Sequence, residues 1–105
     1  MIKTLEQLYN VLSSTGIPTA YDHFPEPQPL PVLIYHATGS DNFGADNKVY
    51  HPILEVQAVL CTMKKDPKLE SKVEKKLNDN EIFWDKIEDY VSEEKCYQIT
   101  YTFEL

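Results

Sequence analysis

Tyr97-Gln98-Ile99-Thr100-Tyr101-Thr102-Phe103-Glu104-Leu105 alternates large apolar and polar side chains without a break. Side chains on a strand point to opposite faces with a period of two. Tyr97, Ile99, Tyr101, Phe103 and Leu105 therefore share one face, and Gln98, Thr100, Thr102 and Glu104 share the other. One apolar and one polar face describe a half-buried strand of an antiparallel sheet.

Working outward, residues 82–91 form a second extended segment, joined to this strand by the turn Ser92-Glu93-Glu94-Lys95. Residues 53–63 form a third. There Leu54, Val56, Ala58 and Leu60 line one face, while the other passes from Glu55 and Gln57 to Val59, Cys61 and Met63. Residues 32–37 are apolar on both faces, and residues 17–24 read as a short strand.

Two helices carry readable ends. Thr4 and Gln7 form a Thr-x-x-Gln capping box, Leu5, Leu8, Tyr9 and Leu12 recur at helical spacing, and Gly16 supplies the stop after a fraying Ser13-Ser14-Thr15 turn. Asp66-Pro67 opens the second helix, whose narrow stripe is Leu69, Val73 and Leu77. Its charges, Lys68, Glu70, Lys72, Glu74, Lys75 and Lys76, read as a solvated face, with Lys68 and Lys72 set to pair with glutamates one turn away. The whole predicts a single α+β domain over residues 1–105. Two helices cover one face of a mainly antiparallel four- to five-stranded sheet, in the order helix, strand, strand, strand, helix, strand, strand.

A chain of 105 residues is long enough to bury roughly two-thirds of its unfolded surface without staples. Seventeen acidic against ten basic residues give a formal charge of -7, and the basic residues concentrate between positions 64 and 76. That balance argues against direct duplex binding and favours protein partners. Cys61 and Cys96 lie in apolar runs without a Cys-x-x-Cys spacing, as buried thiols in a reducing compartment would. Met1-Ile2-Lys3-Thr4 lacks the apolar core of a signal peptide, and no apolar run approaches the ~20 residues that span a bilayer. The expectation is a soluble chain made in the cytoplasm, with no membrane partner.

Two segments invite contact with other molecules. Pro25-Glu26-Pro27-Gln28-Pro29-Leu30-Pro31 places proline at every second position, which makes a stiff connector that no central strand could contain. Ser40-Asp41-Asn42-Phe43-Gly44-Ala45-Asp46-Asn47-Lys48-Val49-Tyr50 surrounds Gly44 with turn-forming or cation-binding side chains between two strand-like runs. It reads as a hairpin tip or a site. The spacing of a calcium loop fails, because Phe43 stands where that loop needs a ligand, and no zinc spacing occurs. Neither metal nor cofactor is therefore assigned. The candidate interaction residues are Pro25, Pro27 and Pro29 on the arm and Asp41, Asn42, Phe43, Asp46 and Asn47 on the loop. Phe43 is either an apolar anchor for a partner or a residue folded back on its own sheet.

Catalysis finds little support. His23, His36 and His51 sit in three separate strand-like regions, and Asp22 points away from His23 if that segment is extended. A metal-dependent enzyme would have to use Asp22, His23, Asp41 and Asp46.

Gly16-Ile17-Pro18-Thr19-Ala20-Tyr21-Asp22-His23-Phe24, then Pro29-Leu30-Pro31, Tyr35, the run from Ser40 to Tyr50, Lys64-Lys65-Asp66-Pro67-Lys68-Leu69-Glu70 and Tyr97-Gln98 follow one another in an order and spacing shared with a known family. In these motifs, which cover nearly the whole chain, the sequence resembles the tail-completion proteins of long-tailed phages and prophages of Gram-positive bacteria. The resemblance implies a tail terminator or a closely related head-tail joining protein: a homo-oligomeric ring, typically hexameric, that caps the tail tube. It implies the major tail-tube protein and the head connector or stopper as partners. DNA would pass through the ring without specific binding, the location would be the virion at the head-tail interface, and no catalysis is implied. A head-side stopper and a small monomeric adaptor are the alternatives.

Overall fold

A computed structural model describes residues 2–45 and 47–105, with the backbone alone for residues 43–45 and 49–51. Helix α1 is Leu5–Ser13, followed by strand β1 (Thr19–Tyr21), β2 (Val32–Ser40), β3 (Phe43–Ala45), β4 (Lys48–His51), β5 (Leu54–Thr62), helix α2 (Pro67–Asp79), β6 (Trp84–Val91) and β7 (Cys96–Glu104). Five strands form one sheet in the order β1-β2-β5-β7-β6, antiparallel except where β1 runs parallel to β2. The α+β class, the two helices and the mainly antiparallel sheet are as the periodicities predict. The segment between β2 and β5 adds a separate two-stranded sheet, β3-β4.

The helix ends follow from local chemistry. Thr4 Oγ1 accepts from Gln7 N at 3.1 Å and Gln7 Oε1 accepts from Thr4 N at 3.2 Å, which satisfies two backbone donors that the first turn leaves unpaired. Gly16 then takes the left-handed conformation, φ +83°, which a side chain would strain. Thr15, expected to fray, is instead buried: its hydroxyl donates to Leu12 O at 2.6 Å and accepts from Ile17 N at 3.3 Å, locking the exit of the helix. At α2, Asp66 Oδ1 accepts from Leu69 N at 3.1 Å and Pro67 opens the helix.

Leu8 and Leu12 of α1 and Val73 and Leu77 of α2 pack on Leu33, Tyr35, Val56, Ala58, Leu60, Ile99, Tyr101 and Phe103. These strand residues share one face by register, so both helices cover the same side. Each such leucine, taken out of water, contributes about 1.5–3 kcal/mol. The other face of the sheet carries no helix.

Candidate interaction surfaces

The proline arm bridges β1 and β2, and it lies against the helix-free face. Phe24, Pro25, Pro27 and Gln28 line a shallow cleft with Val32 and Ile34. Val32 and Cys61, neighbours in register on that face, are buried at this corner. Pro25, Pro27 and Pro29 are themselves exposed, so the arm shields one corner of the sheet while presenting its ring edges outward.

The β3-β4 hairpin leaves the opposite end of β2. Nine residues of β2 separate it from the arm, roughly 25 Å at strand rise. Its turn runs through Asn47 at φ +63°, a conformation asparagine tolerates. Asn47 and Asp41 are exposed there, and Asn42 Oδ1 accepts from Ile53 N at 3.1 Å, tying the hairpin base to β5. Asp41 N donates to Ile53 O at 2.8 Å in the same tie. Asp46 and the side chain of Phe43 lie outside the described residues. The described candidate residues thus fall into two separate segments, the arm and the hairpin with its base.

Between them runs the uncovered face. Register places Ala20, Ile34, Val59, Thr100 and Ile87 in one row across it, and Gln57, Thr102 and Asp85 in the next. Ile87 is 64% exposed, and Phe83, just before β6, is 83% exposed. Glu55 and Glu104 are direct cross-strand partners at the hairpin end, close to Asp41. Phe83, Asp85, Glu55 and Glu104 also line an open groove of about 990 Å³ with Pro52 and Leu105. This end of the face is apolar and acidic together.

That crowding raises the pKa of Glu104 above the usual carboxylate value. Desolvation acts first, then a hydrogen bond shared with Asp41 and the charges of Asp41 and Glu55. A carboxyl with a raised folded-state pKa supports the fold while protonated, and that support is lost as pH rises through its folded value. Glu104→Gln keeps the neutral form at every pH. The variant is therefore expected to melt above the wild type at about pH 7 and to match it near about pH 4. A melting difference that does not change with pH would contradict this assignment.

The helix-covered side holds a polar network of which helical periodicity marks one member, Glu70. Glu70 is 4% exposed and sits between Lys65 Nζ at 2.6 Å and Lys86 Nζ at 3.2 Å. Lys86 also donates to Glu74 Oε2 at 2.7 Å, Glu74 accepts from the Tyr101 hydroxyl at 2.8 Å, and Lys65 reaches Glu88. These bonds hold both ammonium groups above the usual lysine pKa, led by Glu70 for Lys65 and by Glu74 for Lys86. Burial, then Glu74, pushes the Tyr101 phenol up. Glu70 lies three residues before Val73 and seven before Leu77, hence beside the apolar stripe. The expected solvated face of α2 is corrected to this extent: Glu70 and Glu74 turn inward to clasp edge strand β6. Lys68 and Lys72 make no ion pair among the described residues.

The described catalytic candidates, Asp22, His23 and Asp41, do not assemble, and Asp46 lies outside the described residues. Asp22 adopts φ +64°, so the chain bends and His23 Nδ1 meets Asp22 Oδ2 at 2.9 Å, contrary to the extended geometry expected there. This pair is exposed beside Tyr35, whereas Asp41 follows the far end of β2, roughly 20 Å along the strand. Among the described residues, no group of three or more His, Cys, Asp or Glu side chains is placed to hold a metal ion. Cys61 and Cys96 are buried free thiols, and burial foremost pushes the Cys61 thiol up to about 11, which leaves it protonated and unreactive. No helix is long and apolar enough to cross a membrane among the described residues. Comparison of the chain with known protein families and with curated proteins finds no match.

Proposed function

We propose that this chain is a phage tail-completion protein of the terminator type, a structural subunit that caps the tail tube as a ring and joins it to the head connector. The motifs in which the sequence resembles that family, spread over nearly the whole chain, are one support. The observation that carries the reading is the one-sided fold: helices cover a single face, and on the other the proline arm shields only the Val32 and Ile34 corner, leaving Ile87 64% exposed. Among the described residues, edge strands β1 and β6 are also unpaired on their outer sides. Such surfaces are what a neighbouring subunit buries.

In this reading the arm and the hairpin, at opposite ends of β2, reach different neighbours. A ring subunit of charge -7 also suits a channel through which DNA slides, because like charge weakens non-specific phosphate contacts. The function is stoichiometric: the ring occupies the last layer of the tail tube and ends polymerisation.

Light scattering coupled to size-exclusion chromatography tests the assembly, with purified tail-tube protein as the partner. The expected result is a closed oligomer, and a tube population that stops lengthening once the chain is added. A species that stays monomeric at high concentration and binds one tail or head protein would favour the small adaptor. A ring that binds the connector and leaves tube growth unchanged would favour the head-side stopper.

A further inference from the structure

Two groups of charges without an ion pair lie on opposite sides of the sheet. Asp85, Asp89, Glu55 and Glu104 lie on the uncovered sheet face by register, where no described strand position holds a lysine, and Lys3 lines only the groove at the Glu55 and Glu104 end. On the helix-covered side, Lys68 and Lys72 stand exposed one turn apart on α2, and neither forms an ion pair among the described residues. Lys65 and Lys86 are on that side too, but Glu70, Glu74 and Glu88 neutralise them. An acidic patch with an exposed isoleucine at its centre therefore backs onto a basic patch.

We propose that the Asp85, Ile87 and Asp89 patch receives the Lys68 and Lys72 face of helix α2 from a second copy of this chain. The inference rests on the ring reading above and specifies which surfaces meet in it. Asp85 and Asp89 are four residues apart on a strand, roughly 13 Å, with Ile87 between them. Lys68 and Lys72 are about 6 Å apart along the helix axis, and each carries its ammonium on a flexible four-carbon stem. The ammonium groups can splay to the two carboxylates while their methylenes cover Ile87. The contact is heterologous, one patch against a different patch, so it repeats from copy to copy and closes a ring when the rotation per step divides the circle. Charge complementarity also favours a second copy over nucleic acid, because a polyanion would satisfy α2 and leave the acidic sheet face and Ile87 without a partner.

The test is a charge exchange. K68E/K72E makes both patches acidic, and D85K/D89K makes both basic; all four positions are exposed, and circular dichroism checks that the folds persist. Each variant alone is expected to self-associate about a hundredfold more weakly than the wild type, from like charges opposed across the contact. An equimolar mixture is expected to restore the oligomer, because each helix again meets a face of opposite sign. Wild-type self-association should weaken as salt is raised. If either variant alone still forms the wild-type oligomer, or the mixture fails to restore it, these two surfaces are not the contact, and the ring reading stands. A wild type that stays monomeric overturns both. Rings that persist in K68E/K72E together with lost binding to a short DNA duplex would assign α2 to phosphate instead.

Discussion

Tyr101→Ala is expected to destabilise the fold by about 3–5 kcal/mol, the range for deleting a large buried aromatic. Tyr101 is fully buried on β7, between β5 and β6 and beneath α2, and its ring meets Trp84 edge-on at 5.5 Å and 77°. Alanine would remove the ring from the core, the aromatic contact that fixes Trp84, and the hydroxyl donated to Glu74. Tyr101→Phe isolates the last of these. Glu74 keeps Lys86 as a partner, so the phenylalanine variant should lose only about 0.5–1.5 kcal/mol, the net worth of an ordinary hydrogen bond. Because a domain of this size holds about 5–15 kcal/mol in all, the alanine variant should approach the unfolded state at modest urea concentration. Urea denaturation of the two variants decides the matter: equal costs would mean that the hydroxyl, rather than the ring, is what Tyr101 supplies.

Glu70→Ala follows, with an expected loss of about 1–3 kcal/mol. Breaking a fully buried ion pair costs about 3–5 kcal/mol because a charge is stranded in the interior. Here the cations are not stranded. Lys65 and Lys86 are 41% and 39% exposed and retain Glu88 and Glu74. The loss is that of two charged hydrogen bonds and of the packing of the Glu70 stem between α2 and β6. Glu88→Ala removes a more exposed partner of the same lysine and should cost less than about 1 kcal/mol. Glu70→Leu fills the space next to Val73 with apolar volume and should fall within about 1 kcal/mol of the wild type, since well-packed hydrophobic replacements of ion pairs are often neutral. Thermal and urea unfolding of the three variants separates these cases. A leucine variant as damaged as the alanine one would show that the pairing, rather than the filled volume, holds β6 to the helix.

Where a pattern was local, the amino-acid order was sufficient. The Thr4 and Gln7 box, Asp66-Pro67 and Gly16 were legible because each acts on backbone groups within four residues. The alternation from Tyr97 to Leu105 was legible because period two leaves no other face for those side chains. Asp22 shows the limit: a single left-handed residue turned an expected divergence into a contact with His23, and nothing in the neighbouring residue types required it. The Glu70, Lys65 and Lys86 network was half legible. Glu70 stands three residues before Val73 in the helix, yet its charge reads as part of a solvated face, and Lys86, sixteen residues away, is brought to it only by the packing of α2 across the β6 side of the sheet.

The candidate surfaces divide in the same way. The arm and the hairpin could be recognised from proline spacing and from Asp and Asn around Gly44, since those residues restrict the backbone wherever they stand. That they lie at opposite ends of β2, and that Asp85, Ile87 and Asp89 share an uncovered face with Glu55 and Glu104, depends on strand order and register. Local sequence thus determined the two helices, their caps and the apolar face of β7, because these are set by interactions within a turn or along one strand, whereas the inward turn of Glu70 and the burial of Thr15 were not among them. Tertiary structure alone decided the strand order and that the acids of the uncovered face and the exposed Lys68 and Lys72 end on opposite sides, because those outcomes depend on which distant segments pack together.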